Sequence, residues 1–159
     1  MLKDITLRRF QNKDTEAIFQ LHIAGLKQTD SYITDPKLRE KFDKDLHNIE
    51  EVYLQNSGEF LVATLGDEIV GIGGFSKVDE ATAELRRMRV KQEFQGRGIG
   101  SLLLDKLIAK AKKLGYKKLI LDTFKNQTIA GKMYASRGFQ EFKQETICGK
   151  EIQYLQLFL

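Results

Sequence analysis

Apolar positions along this chain follow two periods, and the changes between them mark its elements. Residues 5–9 read as a strand. Asn12 or Asp14 then caps a helix whose apolar positions are Ala17, Ile18, Leu21 and Leu26. Residues 25–35 read as a loop. A charged amphipathic helix is predicted over 36–55, with Pro36 at its start and Asn56-Ser57-Gly58 at its end. Residues 60–64 and 69–75 read as a hairpin turned by Leu65-Gly66-Asp67-Glu68, and a third strand runs over 81–90. The strongest helical pattern spans 98–114, where Leu102, Leu103, Leu107, Ala111 and Leu114 share a face and Gly115 stops the helix. Residues 118–124 are apolar almost throughout, as in a buried strand. A short helix over 129–137 ends at Gly138, and strands over 140–147 and 152–158 close a hairpin around Gly149. The order β-α-α-β-β-β-α-β-α-β-β mixes consecutive strands with crossovers. It predicts an α/β (α+β mixed) fold: a central mixed sheet of about six to seven strands with about four helices on both faces.

The chain has 159 residues, a length that suits one domain over 1–159 with a sizeable core. An apolar fraction of 42% with 30% charged residues argues against disorder. The formal charge is 26 − 22 = +4, which suits an anionic ligand without demanding one. No apolar run is long enough to span a membrane, and the first residues lack a signal-peptide core, so no membrane partner is expected. A single cysteine, Cys148, excludes an intrachain disulfide and makes a reducing cytoplasm the expected location. His22 reads as a packing residue, and no Cys/His cluster has metal-ligand spacing, so no metal is expected.

The candidate chemistry starts at Gln95-Gly96-Arg97-Gly98-Ile99-Gly100, between a strand and the strongest helix. The first N–H groups of a helix lack intrahelical partners and carry partial positive charge. Glycines let that backbone close around an anion, which makes such a start a phosphate site. Gln95, Arg97 and the Ser101 hydroxyl offer further donors. The plainer reading is a strand–helix turn that needs small residues. A Walker loop would need Gly-Lys-Ser/Thr, which is absent, and a dinucleotide fingerprint would need glycine where Ser101 stands.

Two motifs make the chain resemble the GNAT (GCN5-related N-acetyltransferase) superfamily. The segment 95–100 matches that family's Gln/Arg-x-x-Gly-x-Gly/Ala signature after the strand Glu84-Leu85-Arg86-Arg87-Met88-Arg89-Val90. A second set, Asn126, Ala130, Met133-Tyr134 and Arg137-Gly138-Phe139, follows a buried strand as it does in the family. The match is close over 81–139; the first 80 residues agree only in element order, and Gln92 stands where many members carry proline.

The resemblance implies that acetyl-CoA is the cosubstrate. In Met88-Arg89-Val90, the backbone of Met88 and Val90 would pair with the pantetheine amides as an added strand would. Gln95, Gly96, Arg97, Gly98, Ile99, Gly100 and Ser101 would hold the pyrophosphate, Asn126 the pantetheine arm, and Tyr134 would point at the sulfur. Glu84 lies at the spacing where several members place a catalytic glutamate, and a backbone N–H near Met88 would serve the oxyanion. The implied reaction is direct attack of an unidentified amine acceptor on the thioester. The plainer roles are a solvated carboxylate or Arg86 partner for Glu84, a helix cap for Asn126 and a packing aromatic for Tyr134.

Two other readings stand beside acetyl transfer. One is a non-catalytic acyl-CoA sensor, against which the retention of both Glu84 and Tyr134 speaks. The other is a basic nucleic-acid-binding domain. No nucleic acid is expected, because the lysines after residue 110 fall on a solvated helix side and no aromatic-interleaved basic stripe is present. A homodimer through the last strands is compatible with the sequence. The acceptor region, around Tyr32 and the loop 25–35, matches nothing interpretable.

Overall fold

The computed structural model describes residues 2–29 and 32–159; Met1 and, from the predicted loop 25–35, Asp30 and Ser31 lie outside the described residues. The strands are β1 (Ile5–Arg9), β2 (Glu59–Leu65), β3 (Glu68–Lys77), β4 (Thr82–Val90), β5 (Lys118–Phe124), β6 (Gln140–Ile147) and β7 (Lys150–Phe158). The helices are α1 (Thr15–Gln28), α2 (Pro36–Phe42), α3 (Ile99–Lys113) and α4 (Thr128–Ser136). The strands form one sheet in the order β1-β2-β3-β4-β5-β7-β6. Each neighbouring pair is antiparallel except β4 and β5, which run parallel. This is the predicted mixed α/β architecture with seven strands.

The two faces of the sheet carry separate cores. Leu61, Ala63 and Leu85 meet Ile99, Leu103, Leu104 and Leu107 of α3 on one face, joined by Tyr134 of α4. Phe60, Val62 and Ile72 meet Ile18 and Leu21 of α1 and Leu46, Ile49 and Tyr53 on the other. Strand β2 is therefore apolar at successive positions because both its faces are covered. The α3 face differs by one position from the sequence reading. Leu104 is fully buried and Leu114 is exposed, so the stripe runs Ile99-Leu103-Leu107 with Leu104 and Ala111 beside it.

Helix α1 passes through Gly25 to Gln28, three residues beyond the predicted start of the loop. The predicted helix over 36–55 is not continuous. Asp35 caps α2 by accepting from the Lys37 N–H at 2.9 Å, and α2 ends at Phe42. A 3₁₀ turn (Lys44–His47) and a π-helical turn (Glu50–Leu54) follow. The break has a polar cause: Asp43 and Asp45 both turn inward and are buried, at 4% and 7% exposure, against Arg87 of β4 and His22 of α1.

Candidate active site

Strands β4 and β5 pair only at their beginnings, through Thr82–Lys118, Ala83–Leu119 and Glu84–Ile120. Beyond Glu84 they part, leaving a wedge between the second half of β4 and the end of β5. The other edge of β4 stays on β3, where the Lys91 N–H donates to Val70 O at 2.8 Å. Because main-chain directions alternate along an antiparallel strand, the N–H and carbonyl of Val90 point to the opposite edge, into the wedge. The Val90 carbonyl there accepts from Gln95 Nε2 at 2.9 Å, and Gln95 also bonds Gln28 of α1. Gln95 thus folds over the strand edge, although the sequence placed it with the pyrophosphate-binding residues.

The glycine segment closes the wedge at the end of β4. Gly96 and Gly98 have φ of +76° and +87°, conformations that disfavour L side chains, and Gly98 is the N-cap of α3. The Leu102 N–H is bonded to Gly98 O at 3.1 Å. The N–H groups of Ile99, Gly100 and Ser101 belong to the first turn, where donors lack intrahelical partners. Arg97 lies over the Phe94 ring. Gly100 serves packing: a Cβ there would sit 3.4 Å from the Met133 sulfur of α4.

The wedge opens into a cavity of about 380 Å³ whose wall includes Glu84, Met88, Arg89, Asp122, Gln127 and Tyr134. The structure therefore brings Glu84 and Tyr134, 50 residues apart in sequence, into one wall. Glu84 stands on the last paired rung before the strands separate. Burial pushes its carboxyl above the ordinary carboxylate range; Arg86, at 3.8 Å, pulls the other way, and Asp122 adds to the rise. Tyr134 is 5% exposed and packs edge-on against Phe139 with ring centroids 5.6 Å apart. Burial, with the charge of Asp122, raises its phenol well above the usual value. No protein group among the described residues hydrogen-bonds its hydroxyl, which faces the cavity.

Asn126 is not brought into this wall. It is exposed in the turn after β5, and the N-cap of α4 is Gln127. Gln127 lines the cavity instead and contacts Thr123 Oγ1 at 3.5 Å. The stretch Asn126, Ala130, Tyr134 accordingly does not form one helical face, because α4 begins only at Thr128.

Sequence reasoning missed the ionic wall opposite. Arg87 donates to both Asp45 carboxylate oxygens, at 2.6 and 3.0 Å, and lies 3.9 Å from Asp43. Tyr53 donates to Asp45 at 2.5 Å, and His22 Nε2 lies 2.8 Å from Asp43. Burial alone would push Asp45 up; the hydrogen bonds and charge of Arg87 outweigh it and hold the carboxyl below its ordinary value. His22 is buried between Asp43 and Arg89, and burial lowers its pKa.

A model of the acetyltransferase (GNAT) family matches residues 23–139. N-acetylaspartate synthetase of Danio rerio is 38% identical over 98 residues, covering 60% of this chain and 35% of that protein. N-acetyltransferase 8 of Homo sapiens is 32% identical over 110 residues, covering 65% of this chain and 48% of that protein. The chain thus spans about a third to a half of the length of these two curated relatives. A GNAT-family acetyltransferase from Staphylococcus aureus Mu50 superposes with a TM-score of 0.84 at 23% identity, covering 97% of this chain and 98% of that one. The structure of yncA from Salmonella typhimurium with its cofactor acetyl-CoA superposes at 0.77 and 19% identity, covering 98% of this chain and 94% of that one. The matched residues take in the forked strand pair, the glycine turn and Tyr134, and by this match the chain belongs to the GNAT acetyltransferase family.

Proposed function

We propose that the chain, as one domain over 1–159, is an acetyl-CoA-dependent N-acetyltransferase acting on a primary amine. The carrying observation is the fork between β4 and β5, with helix-terminal N–H donors at one end and Glu84 and Tyr134 in the wall of the same cavity. The residues suit the cosubstrate. The unpaired β4 edge at Met88 and Val90 offers main-chain groups to an extended amide arm. The first turn of α3 offers N–H donors to a diphosphate. The relatives from Danio rerio and Homo sapiens are named for N-acetylation, which supports an amine acceptor. The single cysteine, exposed and unpaired, supports a reducing cytoplasm as the setting.

When bound, acetyl-CoA supplies a thioester whose acyl carbon takes the amine nitrogen as the carbon–sulfur bond breaks. The chain's own residues handle the protons. A lysine-like amine has a pKa of ~10.4, so only about one molecule in 10³ is neutral at pH 7, a deficit of about 4 kcal/mol. Glu84, ionised, takes the proton that the amine must lose, directly or through a water. The Met88 N–H, on the stretch of β4 beyond the fork, donates to the developing oxyanion. Tyr134 donates to the departing sulfur.

The base role has a pH signature. Glu84 must be ionised to act, and its carboxyl is held above the ordinary range, so kcat/KM should rise with pH through that raised value. Glu84→Gln is expected to lower kcat/KM by about 30-fold at pH 7.5. At pH 10, where the amine deprotonates unaided, the deficit should shrink to about threefold. Thiol-release assays on both proteins from pH 6 to 10 check this. A deficit that stays constant across pH would remove Glu84 from the base role.

A further inference from the structure

A strict two-residue alternation along Glu84-Leu85-Arg86-Arg87-Met88-Arg89 would put Glu84 and Arg86 on one face of the sheet and Arg87 and Arg89 on the other. The structure does otherwise. Ile72 pairs with Arg89 and Gly74 with Arg86, so Gly73 alone opposes both Arg87 and Met88. This is a β-bulge, and Arg87 takes the left-handed φ of +61° within it. A Cβ on Gly73 would fall 2.4 Å from the Met88 sulfur. After the bulge the faces exchange. Met88 and Val90 join the core under α3, and Arg89 reaches α1, where its side chain lies against Gly25. Three arginines thereby share the cavity side with Glu84.

Their charges are not equally matched. Arg87 is neutralised by Asp45 and lies near Asp43. Arg86 has Asp45 at 3.7 Å and Glu84 at 3.8 Å, and stacks over Tyr53. Arg89 has no carboxylate within ion-pair distance among the described residues; its hydrogen bond runs from Nε to His22 Nδ1 at 3.2 Å. That bond requires a lone pair on Nδ1, which leaves the proton on Nε2 facing Asp43 and makes the imidazole neutral. His22 therefore orients Arg89 without cancelling its charge. Burial and the nearby Arg87 disfavour the charged guanidinium, and the more distant charge of Asp43 offsets them only in part. A half-buried guanidinium facing a cavity, held by one nitrogen with its fork available, suits a planar carboxylate.

We propose that the amine acceptor carries a carboxylate close to its nitrogen, as an amino acid does, and that the guanidinium of Arg89 binds that carboxylate. The inference rests on the acetyl-transfer reading above. Glu84 and Arg89 lie opposite Ser76 and Ile72, about 13 Å apart along the strand. Both side chains line the one cavity, which favours an acceptor whose carboxylate and amine are close together. A polycationic amine would meet Arg89 and Arg86 with like charge.

The test compares matched acceptors by thiol release from acetyl-CoA on the native protein. L-Phenylalanine and L-leucine are each set against their α-amides and L-aspartate against its diamide, with spermidine as a carboxylate-free polyamine. The amides have less basic amines, so the comparison is biased against the inference. The expected result is a kcat/KM about 30-fold or more higher for at least one free acid than for its amide. Arg89→Gln should raise KM for that acid about 30-fold with kcat changed less than threefold, and Arg89→Lys should recover part of the loss. Amides or spermidine turned over as well as the acids would overturn the carboxylate inference while acetyl transfer stands. Thiol release from no amine of either kind, with acetyl-CoA still bound, would overturn acetyl transfer and this inference together. An unchanged KM in Arg89→Gln would overturn the assignment to Arg89. The native comparison decides the acceptor class even if neither variant folds.

Discussion

Gly98→Asp is expected to weaken the binding of acetyl-CoA and of CoA about 10³-fold, a loss of about 4 kcal/mol. The residue has φ of +87° and caps α3, so its replacement sits at the point where the helix's free N–H groups converge. Two costs combine. The left-handed backbone strains a non-glycine residue by about 1–2 kcal/mol, less for Asp and Asn than for most. A carboxylate about 5 Å from a diphosphate adds about 3 kcal/mol of repulsion per unit charge at an effective dielectric of 20. Gly98→Asn separates them, because it has the same shape and strain without the charge, and should cost only about tenfold. Aspartate is a favoured N-cap residue, so the variant should keep a folded α3. Calorimetric titration of the native protein and both variants checks this, with micromolar binding expected for the native chain. Equal affinities for Asp and Asn would mean that no anion sits at this helix start. An absence of binding in the native protein would reduce the glycine segment to a turn, and the nucleic-acid reading would then be tested by a salt titration.

How much of this was legible in the sequence depends on the range of the interactions that fix each part. Strands β1, β5 and β6 have the predicted bounds because alternation and buried runs are local signals. The glycine turn was legible because positive φ is a local demand that glycine meets. The segment 36–55 was misread as one helix because its propensities are helical throughout. What breaks it is the pull of Arg87 and His22 on Asp45 and Asp43, from 21 to 42 residues away. The bulge at Arg87 left a trace that was overlooked: the apolar residues of β4 change parity, from Ala83 and Leu85 to Met88 and Val90, both pairs packing under α3. That slip of one residue carries Arg89 to the face of Glu84. Asn126 lies outside the cavity wall because α4 starts two residues later and Gln127 takes the wall position.

Tyr134→Phe is expected to lower kcat about 10²-fold and leave folding stability within about 0.5 kcal/mol of the native protein. The two halves of this expectation come from the two ends of one side chain. The ring is buried, stacks on Phe139 and belongs to the core under α3, and phenylalanine keeps all of that. The hydroxyl has no protein hydrogen bond among the described residues, so its removal leaves no buried group unpaired. Its cost therefore appears in the reaction. Reference values of ~10 for tyrosine and ~8.5 for a thiol already make full proton transfer to the sulfur uphill by about 2 kcal/mol. Burial, with Asp122 nearby, raises the phenol further, so Tyr134 stays protonated and stabilises the leaving sulfur by donation. One lost donor to a developing charge is worth about 2.7 kcal/mol, or 10²-fold. Steady-state kinetics paired with thermal denaturation measures both halves. A variant that turns over within threefold of the native enzyme would leave Tyr134 as a packing residue, with the sulfur protonated from solvent. A variant that loses both rate and stability would mean that the hydroxyl supports the fold, and the donor role would go with it.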